Sequence, residues 1–133
     1  MRTALTTLRL PQDRPLVLVH GDFWPGNTIW RGDRLPAVID WEDAGLGYPL
    51  IDVANVRLEI LRAHSREAME RFTEAHAAVQ ALEERSLPLF DLVPALRLTT
   101  FPTWGLAARQ MEEMHQRWTW FIGHALNRLG IPD

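Results

Sequence analysis

The chain has 133 residues, no cysteine and a formal net charge of −3. This length predicts a single domain spanning residues 1–133, and the apolar content is sufficient for a buried core. Without cysteine the chain forms neither disulfides nor thiolate metal sites, which favours a cytoplasmic protein. The mild acidity and the lack of a long apolar run lead us to expect neither a nucleic-acid partner nor a membrane partner.

The first part of the chain is predicted to consist mainly of short strands and loops. Residues 2–10 are expected to form the end of a helix. Gly32 and Asp33 form the predicted turn of a hairpin, and Gly45 to Gly47 are interpreted as another turn. Branched apolar residues predict strands at residues 16–19, 28–31 and 35–39, the first of them buried. Glycine and proline predict loops at residues 20–27 and 41–49.

The second part is predicted to be helical. Ser65 is the expected N-cap of its second helix, and Gly130 is the expected C-cap of its last helix. Pro88 and Pro94 are expected to bracket a short helix or loop, and Pro102 to begin the last helix. Helical spacing predicts three apolar faces: Ile51, Ala54, Leu58 and Leu61; Phe72, Ala75, Val79 and Leu82; and Trp118, Phe121, Ile122, Ala125 and Leu129.

Three polar side chains, those of Asp22, Asn27 and Asp40, lie at or just beyond the ends of predicted strands. Two carboxylates and a carboxamide are hard oxygen ligands, which suit Mg²⁺. A carboxylate that is not bound to the metal can orient a substrate hydroxyl and take its proton, and phosphoryl transfer requires little else from a protein. A metal-dependent hydrolase is a less favoured alternative, because dinuclear sites need more ligands than this segment supplies.

The spacing of these residues is that of a kinase catalytic loop. Asp22 and Asn27 form an Asp-x-x-x-x-Asn pattern, and a predicted hairpin then leads to Asp40. The segments His-Gly-Asp-x-x-x-x-Asn, Ile-Asp-Trp and Gly-Tyr-Pro-Leu-Ile-Asp-Val-Ala occur in this order within residues 16–55. Together they resemble the aminoglycoside phosphotransferase and choline kinase family. The resemblance implies an α+β fold, a mainly helical protein-kinase-like C-terminal lobe whose small β-hairpin carries the catalytic and metal-binding loops.

The resemblance also implies an activity and a role for each residue. The activity is transfer of phosphate from ATP, with Mg²⁺, to a hydroxyl of a small molecule such as an aminoglycoside, choline or a sugar. Asp22 would be the catalytic base, and Asn27 and Asp40 would bind Mg²⁺ and through it ATP. His20 would brace the catalytic loop against the metal-binding segment, and Asp52 would anchor the loops from the start of a helix.

One part of the family pattern has no counterpart in the sequence. The family has an N-terminal lobe with a nucleotide-covering loop and a strand lysine, whereas all 14 basic residues here are arginine and Asp22 follows Met1 by only 21 residues. We therefore expect a C-terminal lobe without the N-terminal lobe. Its exposed apolar surface would bind a second copy of the chain or a partner that supplies the missing lobe. The alternative function is a catalytically inactive kinase-like fragment or an interaction domain.

The weaker substrate-binding candidates are aromatic and acidic residues. Trp24 lies in the catalytic loop and is a candidate for covering the substrate. Glu112 and Glu113 are candidates for binding a cationic acceptor, the alternative being an exposed helix face. An aromatic box for a quaternary ammonium group is a further interpretation, set against ordinary core packing, of three residues: Trp104, Trp118 and Trp120.

Overall fold

The computed structural model describes residues 15–97 and 105–131, and the predictions at residues 2–10, Pro102 and Trp104 lie outside these ranges. The described residues form a small α+β structure with four helices and two two-stranded antiparallel sheets. None of these helices is long and apolar enough to cross a membrane. The strands are β1 (Val17–Val19), β2 (Thr28–Arg31), β3 (Arg34–Val38) and β4 (Gly45–Gly47). The helices are α1 (Leu50–Ala63), α2 (Arg66–Val79), α3 (Leu87–Arg97) and α4 (Ala108–Arg128).

Strands β2 and β3 form the predicted hairpin. Gly32 has a φ of 63°, which the tight turn requires and which glycine adopts without strain. At the open end of the hairpin Thr28 is paired with Val38, and the backbone N–H of Ile39 donates to the carbonyl of Asn27 over 2.9 Å. This pairing brings Asn27 next to the segment that leads into Asp40.

Strand β1 is present as predicted, but two expectations about its surroundings are wrong. Gly45–Gly47, interpreted as a turn, is a strand that pairs antiparallel with β1, so Leu18 lies opposite Leu46. The strand expected to be buried is largely exposed, with Leu18 68% accessible, and its partner Leu46 in β4 is 77% accessible. Apolar character predicted burial, but in this sheet of two short strands Val17 is accessible as well, and so is Leu16 just before it. Only Val19, at the end of β1, belongs to the core.

The predicted helix caps are confirmed, whereas the predictions about the interior of the helices are only partly correct. The Ser65 hydroxyl accepts the N–H of Ala68 as an N-cap, and Gly130, with a φ of 70°, ends α4. Pro88 and Pro94 lie inside α3 instead of bracketing it. The predicted face of α2 is wrong at Ala75 and at Val79, which are exposed, the latter at 91%. It is also wrong at Leu82, which lies beyond the end of α2.

Helix α1 lies at the centre of the helical part and contacts each of the other three helices. Its apolar residues pack with those of α3 and α4 into a core whose largest fully buried apolar side chains are Leu58, Leu61, Met69, Leu87, Phe90 and Phe121. One ion pair lies within this core. The Arg57 guanidinium donates two hydrogen bonds of 3.0 Å to the Asp91 carboxylate, and the two side chains are 4% and 1% exposed. Burial raises the pKa of the Asp91 carboxyl, and Arg57 opposes that shift.

Candidate active site

The loop after β1 is held to the start of α1 by one carboxylate. Asp52 lies in the first turn of α1, where it accepts the backbone N–H of His20 over 2.7 Å and that of Gly21 over 2.9 Å. Hydrogen bonds to a carboxylate are stronger than those between neutral groups. Asp52 therefore fixes the two residues that immediately precede Asp22.

Gly21 occupies a position that another residue could not share without strain. Its φ is 85°, and a Cβ at this place would lie 2.3 Å from the carbonyl oxygen of Asp43. The Gly21 carbonyl accepts hydrogen bonds from Asn55 over 2.9 Å and from Arg97 over 3.1 Å. The residue before Asp22 is thus held by α1 and by the end of α3.

His20 is buried, at 2% exposure, between the two segments that its predicted role connects. Its Nε2 lies 2.8 Å from the carbonyl oxygen of Ile39, and its Nδ1 lies 3.3 Å from the backbone nitrogen of Asp22. These partners assign the proton to Nε2, which donates to Ile39, while Nδ1 accepts the N–H of Asp22. The ring also packs against Trp41, with centroids 4.6 Å apart. One side chain therefore connects Asp22 with the segment around Asp40.

Asn27 and Asp22 are brought together by a turn of 3₁₀ helix over Pro25–Asn27. The Asn27 Nδ2 donates to the carbonyl oxygen of Asp22 over 2.9 Å and to its Oδ2 over 3.2 Å. Asn27 is 6% exposed, whereas the side chain of Asp22 is exposed to solvent. Because Nδ2 of Asn27 makes both of these hydrogen bonds, Oδ1 is the atom of the carboxamide that can accept a hydrogen bond or bind a metal.

Asp40 follows β3 and is exposed. Its φ of 65° is the only left-handed value of a non-glycine residue in the described ranges, and such a conformation costs on the order of 1 kcal/mol. Aspartate tolerates this region better than most residues, because its short polar side chain interacts with the local backbone. Backbone strain of this kind is typical of functional positions.

The donor atoms available at the open end of the β2–β3 hairpin fit a magnesium ion. Asn27 offers a carboxamide oxygen and Asp40 an exposed carboxylate, and Mg²⁺ binds through one or two such groups together with waters and phosphates. Within residues 15–97 and 105–131, no three His, Asp or Glu side chains are placed to share one metal ion. A metal here would be held by the Asn27 oxygen and the Asp40 carboxylate, with waters or phosphate oxygens as its other ligands.

A cleft of about 480 Å³ opens beside Asp22. It is lined by Asp22, Trp24, Asn55, Leu58, Glu59, Arg62, Pro94 and Arg97. Arg62 donates to Glu59 over 2.5 Å. Burial raises the pKa of the Glu59 carboxyl, opposed by the Arg62 charge, and the Asp22 charge contributes a smaller increase. The cleft adjoins the exposed Asp22 carboxylate, and it has the size of a site for a small molecule.

The weaker candidates lie in different places. Trp24 lines the cleft beside Asp22. Glu113 pairs with Arg109 over 3.0 Å and lines a neighbouring cleft of about 390 Å³, whereas Glu112 is exposed and accepts a hydrogen bond from Gln116. Trp118 packs on the core and Trp120 stacks with His124, so these two tryptophans do not form a common box.

Four polar residues of the cleft were not among the candidates from the sequence: Asn55, Glu59, Arg62 and Arg97. Three of them could have been found. Together with Asp52 they follow one another at intervals of three, four and three residues, which places them along one side of α1. A polar stripe on an otherwise apolar helix is a readable signal. Arg97 carries no such signal, because its position depends on how α3 packs.

Comparison with known proteins identifies the family of proteins to which this loop and hairpin belong. Residues 3–86, more than half of the chain, match the model of the phosphotransferase enzyme family (APH). The chain therefore belongs to this family, as its motifs indicate.

Its curated relatives include stress response kinase A. The chain is 25% identical over 120 residues to this protein of Escherichia coli O157:H7, covering 90% of the chain and 36% of the relative. It is 28% identical over 101 residues to stress response kinase A of Shigella flexneri, covering 76% and 30%. Acyl-CoA dehydrogenase family member 10 of Mus musculus is 45% identical over 49 residues, which are 35% of the chain and 5% of that protein. No solved structure matches significantly. The chain spans about a third of the length of the first of these relatives.

Proposed function

We propose that the chain is the catalytic-loop lobe of a small-molecule phosphotransferase, with the architecture of a protein-kinase C-terminal lobe. In this function the γ-phosphate of ATP is transferred to a hydroxyl of the acceptor. The observation that carries the proposal is the arrangement around His20, which connects Asp22 and the Asp40 segment through two hydrogen bonds of one ring. Membership of the phosphotransferase family supports the same reaction.

The proposed reaction takes place in the cleft beside Asp22. The acceptor hydroxyl hydrogen-bonds to the Asp22 carboxylate, its oxygen forms a bond to the γ-phosphorus, and the bond from that phosphorus to the oxygen of ADP breaks. The hydroxyl proton passes to Asp22. Asn27 holds the carboxylate in place through its Nδ2, at 3.2 Å from Oδ2. Catalysis of this kind depends on positioning and electrostatics more than on covalent chemistry by the protein.

Magnesium is the cofactor of the proposed reaction, with Asn27 and Asp40 as its protein ligands. The metal supplies positive charge that neutralises the phosphate oxygens as charge develops on them. His20 and Asp52 are support residues in this proposal. His20 sets the position of the segment carrying Asp40, and Asp52 fixes the backbone before Asp22 through its two N–H contacts.

In this proposal the chain holds Mg²⁺ and ATP through Asn27 and Asp40 on its own, and a docked protein that contributes a lysine strengthens this grip. Phosphotransfer sites commonly include a lysine on the phosphates, and the chain has none. The uncovered faces of the two sheets support a docked partner, a second copy of the chain or a nucleotide-binding lobe, because Leu18, Leu46 and Trp30 expose large apolar surfaces there. The same exposed surfaces favour the second candidate function, an interaction domain of kinase-like fold without activity.

An acceptor screen separates the two candidates. The chain is incubated with ATP and Mg²⁺ and with hydroxyl compounds of cationic, neutral and anionic character, and ADP release is measured. The phosphotransferase proposal expects acceptor-dependent ADP release that Asp22→Asn reduces by about 100-fold or more, because the general base is lost. Asp33→Asn, in the hairpin turn, is the matched control and retains the rate. If no acceptor raises ADP release above the Asp22→Asn level, the interaction domain is favoured.

A further inference from the structure

The cleft beside Asp22 contains two carboxylates and two guanidinium groups. One carboxylate and one guanidinium group among them form an ion pair with each other. Arg62 is bound to Glu59, at 2.5 Å. Asp22 receives the Asn27 amide and is reserved, in the proposed function, for the acceptor hydroxyl. Arg97 has no carboxylate partner among residues 15–97 and 105–131, and its hydrogen bond in this part of the chain goes to a neutral group, the Gly21 carbonyl.

Arg97 lies close to the catalytic position. Its Nη1 is 3.1 Å from the carbonyl oxygen of Gly21, the residue immediately before Asp22. The side chain is exposed toward solvent and lines the same cleft as Asp22. A guanidinium group has a fork of N–H donors that matches phosphate and carboxylate oxygens, and a single bond to a carbonyl leaves most of these donors available for a ligand.

We propose that this cleft takes an acceptor that carries an anionic oxygen group, phosphate or carboxylate, close to the hydroxyl that is phosphorylated, and that Arg97 binds this group. The assignment rests on the proposed function for the role of Asp22. It disfavours polycationic aminoglycosides and choline as acceptors, because a cation placed beside Arg97 would be repelled by a like charge.

The rest of the lining is consistent with a short, anionic acceptor. Leu58, Pro94 and Trp24 form an apolar wall, so polar recognition in the cleft falls to a few groups. The Glu59 carboxylate is paired with Arg62 at 2.5 Å, and this positive charge offsets the negative charge that an anionic ligand would meet.

Binding without turnover tests the assignment. The chain is titrated at low salt with glycerol 3-phosphate, with glycerol as the uncharged counterpart and with kanamycin as the polycation, and binding is followed by the amide NMR signals of Gly21 and Asn55. We expect glycerol 3-phosphate to bind and to shift these signals, and glycerol and kanamycin to bind at least tenfold more weakly. Tighter binding of kanamycin, or equal binding of glycerol, would overturn the proposal.

Two variants separate charge recognition from loop positioning. Arg97→Gln should weaken glycerol 3-phosphate binding about tenfold or more, while Arg85→Gln, an exposed arginine remote from the cleft, should leave it unchanged. Arg97→Lys keeps a cation in the cleft but lacks the guanidinium fork that contacts the Gly21 carbonyl. It should retain more glycerol 3-phosphate binding than Arg97→Gln. If the two variants weaken binding equally, the charge of this side chain is not what the ligand recognises and the assignment is wrong.

The anion that binds Arg97 could instead be the terminal phosphate of the nucleotide. A second titration distinguishes this phosphate from the anionic group of an acceptor. The acceptor assignment expects glycerol 3-phosphate to bind equally well when the chain is saturated with Mg²⁺ and a non-hydrolysable ATP analogue. Displacement by the analogue, with analogue binding weakened in Arg97→Gln, would assign Arg97 to the nucleotide and overturn the acceptor role. Failure of the analogue to bind at all would count against the phosphotransferase function while leaving the glycerol 3-phosphate result readable.

Discussion

The sheets and loops of residues 15–49 and the helices α1 to α4 are held together by different forces. The three apolar clusters of the core are built from residues of the helices and of the segments that join or end them, and the first part adds Val19 as its buried aliphatic side chain. The loop that carries Asp22 is attached instead by polar contacts, from Asp52, Asn55 and Arg97, to the ends and flank of the helices. The candidate catalytic loop and the apolar core therefore lie in separate parts of the molecule, and a few hydrogen bonds connect them.

This difference explains why the candidate catalytic segment can be exposed and still have defined geometry. Apolar burial is non-directional, so it stabilises the helices without fixing any one atom. Hydrogen bonds to charged groups fix direction as well as distance, which is what a residue such as Asp22 requires. The variants below test whether the two parts respond independently.

The largest effect on the helical part is expected from Asp91→Ala. It leaves Arg57 buried without its carboxylate and should lower the free energy of unfolding by about 3–5 kcal/mol. Denaturant unfolding followed by circular dichroism measures this loss. Glu67→Ala, which removes an exposed ion pair with Arg71 on α2, is the control and should change it by less than about 0.5 kcal/mol. Equal effects of the two variants would contradict the account of the core.

A smaller and local effect is expected from Asp52→Ala. Two backbone N–H groups lose a charged acceptor, which costs about 1.5–3 kcal/mol at the loop. Hydrogen exchange should accelerate at the amides of His20 and Gly21 and remain slow in the middle of α1. Accelerated exchange throughout α1 would mean that the loop and helices unfold as one unit, and the comparison would fail.

Replacing Leu18 and Leu46, the exposed cross-strand pair of β1 and β4, should reduce self-association of the chain with little effect on its stability. The double variant Leu18→Lys and Leu46→Glu places opposite charges on cross-strand partners, so the sheet keeps a favourable pair. Because both side chains are exposed, unfolding free energy should change by less than about 0.5 kcal/mol. Sedimentation velocity at tens of micromolar should show self-association of the parent chain and less in the variant. A monomeric parent would count against self-association through this face.

The smallest effect concerns the pH dependence of stability. Burial lowers the pKa of His124, and the positive charges of Arg128, Arg57 and Arg66 lower it further. The negative charge of Asp91 opposes this shift. The unfolded chain then binds the proton more readily than the folded one, so this contribution to stability is complete above a pH of about 6.5 and is lost as the pH falls toward the lowered value. The His124 contribution to the unfolding free energy should therefore rise with pH in this window, and His124→Asn should make the measured slope less positive. An unchanged slope would exclude His124 as its source.

The sequence predicted the hairpin, the helix caps at Ser65 and Gly130 and the family, because each depends on local residue types or on ordered motifs. It failed where tertiary packing decides. The exposure of Leu18 and the strand character of Gly45–Gly47 follow from which strands meet, and no local pattern specifies that. The position of Arg97 beside Gly21 depends on a contact across 76 residues of sequence. The roles of Asp22, Asn27 and Asp40 remain predictions that their proximity supports.

Calorimetric titration with Mg²⁺ and ATP tests the central claim most directly, because it examines the proposed metal-binding end of the hairpin without requiring an acceptor. Asp40→Asn is the informative variant, since asparagine also tolerates the left-handed backbone at this position but lacks the carboxylate. Asp33→Asn in the hairpin turn is its control. The account predicts binding by the parent chain and by the control, and loss of binding in Asp40→Asn. Equal binding by all three proteins, or no binding by the parent at millimolar ATP, would contradict it.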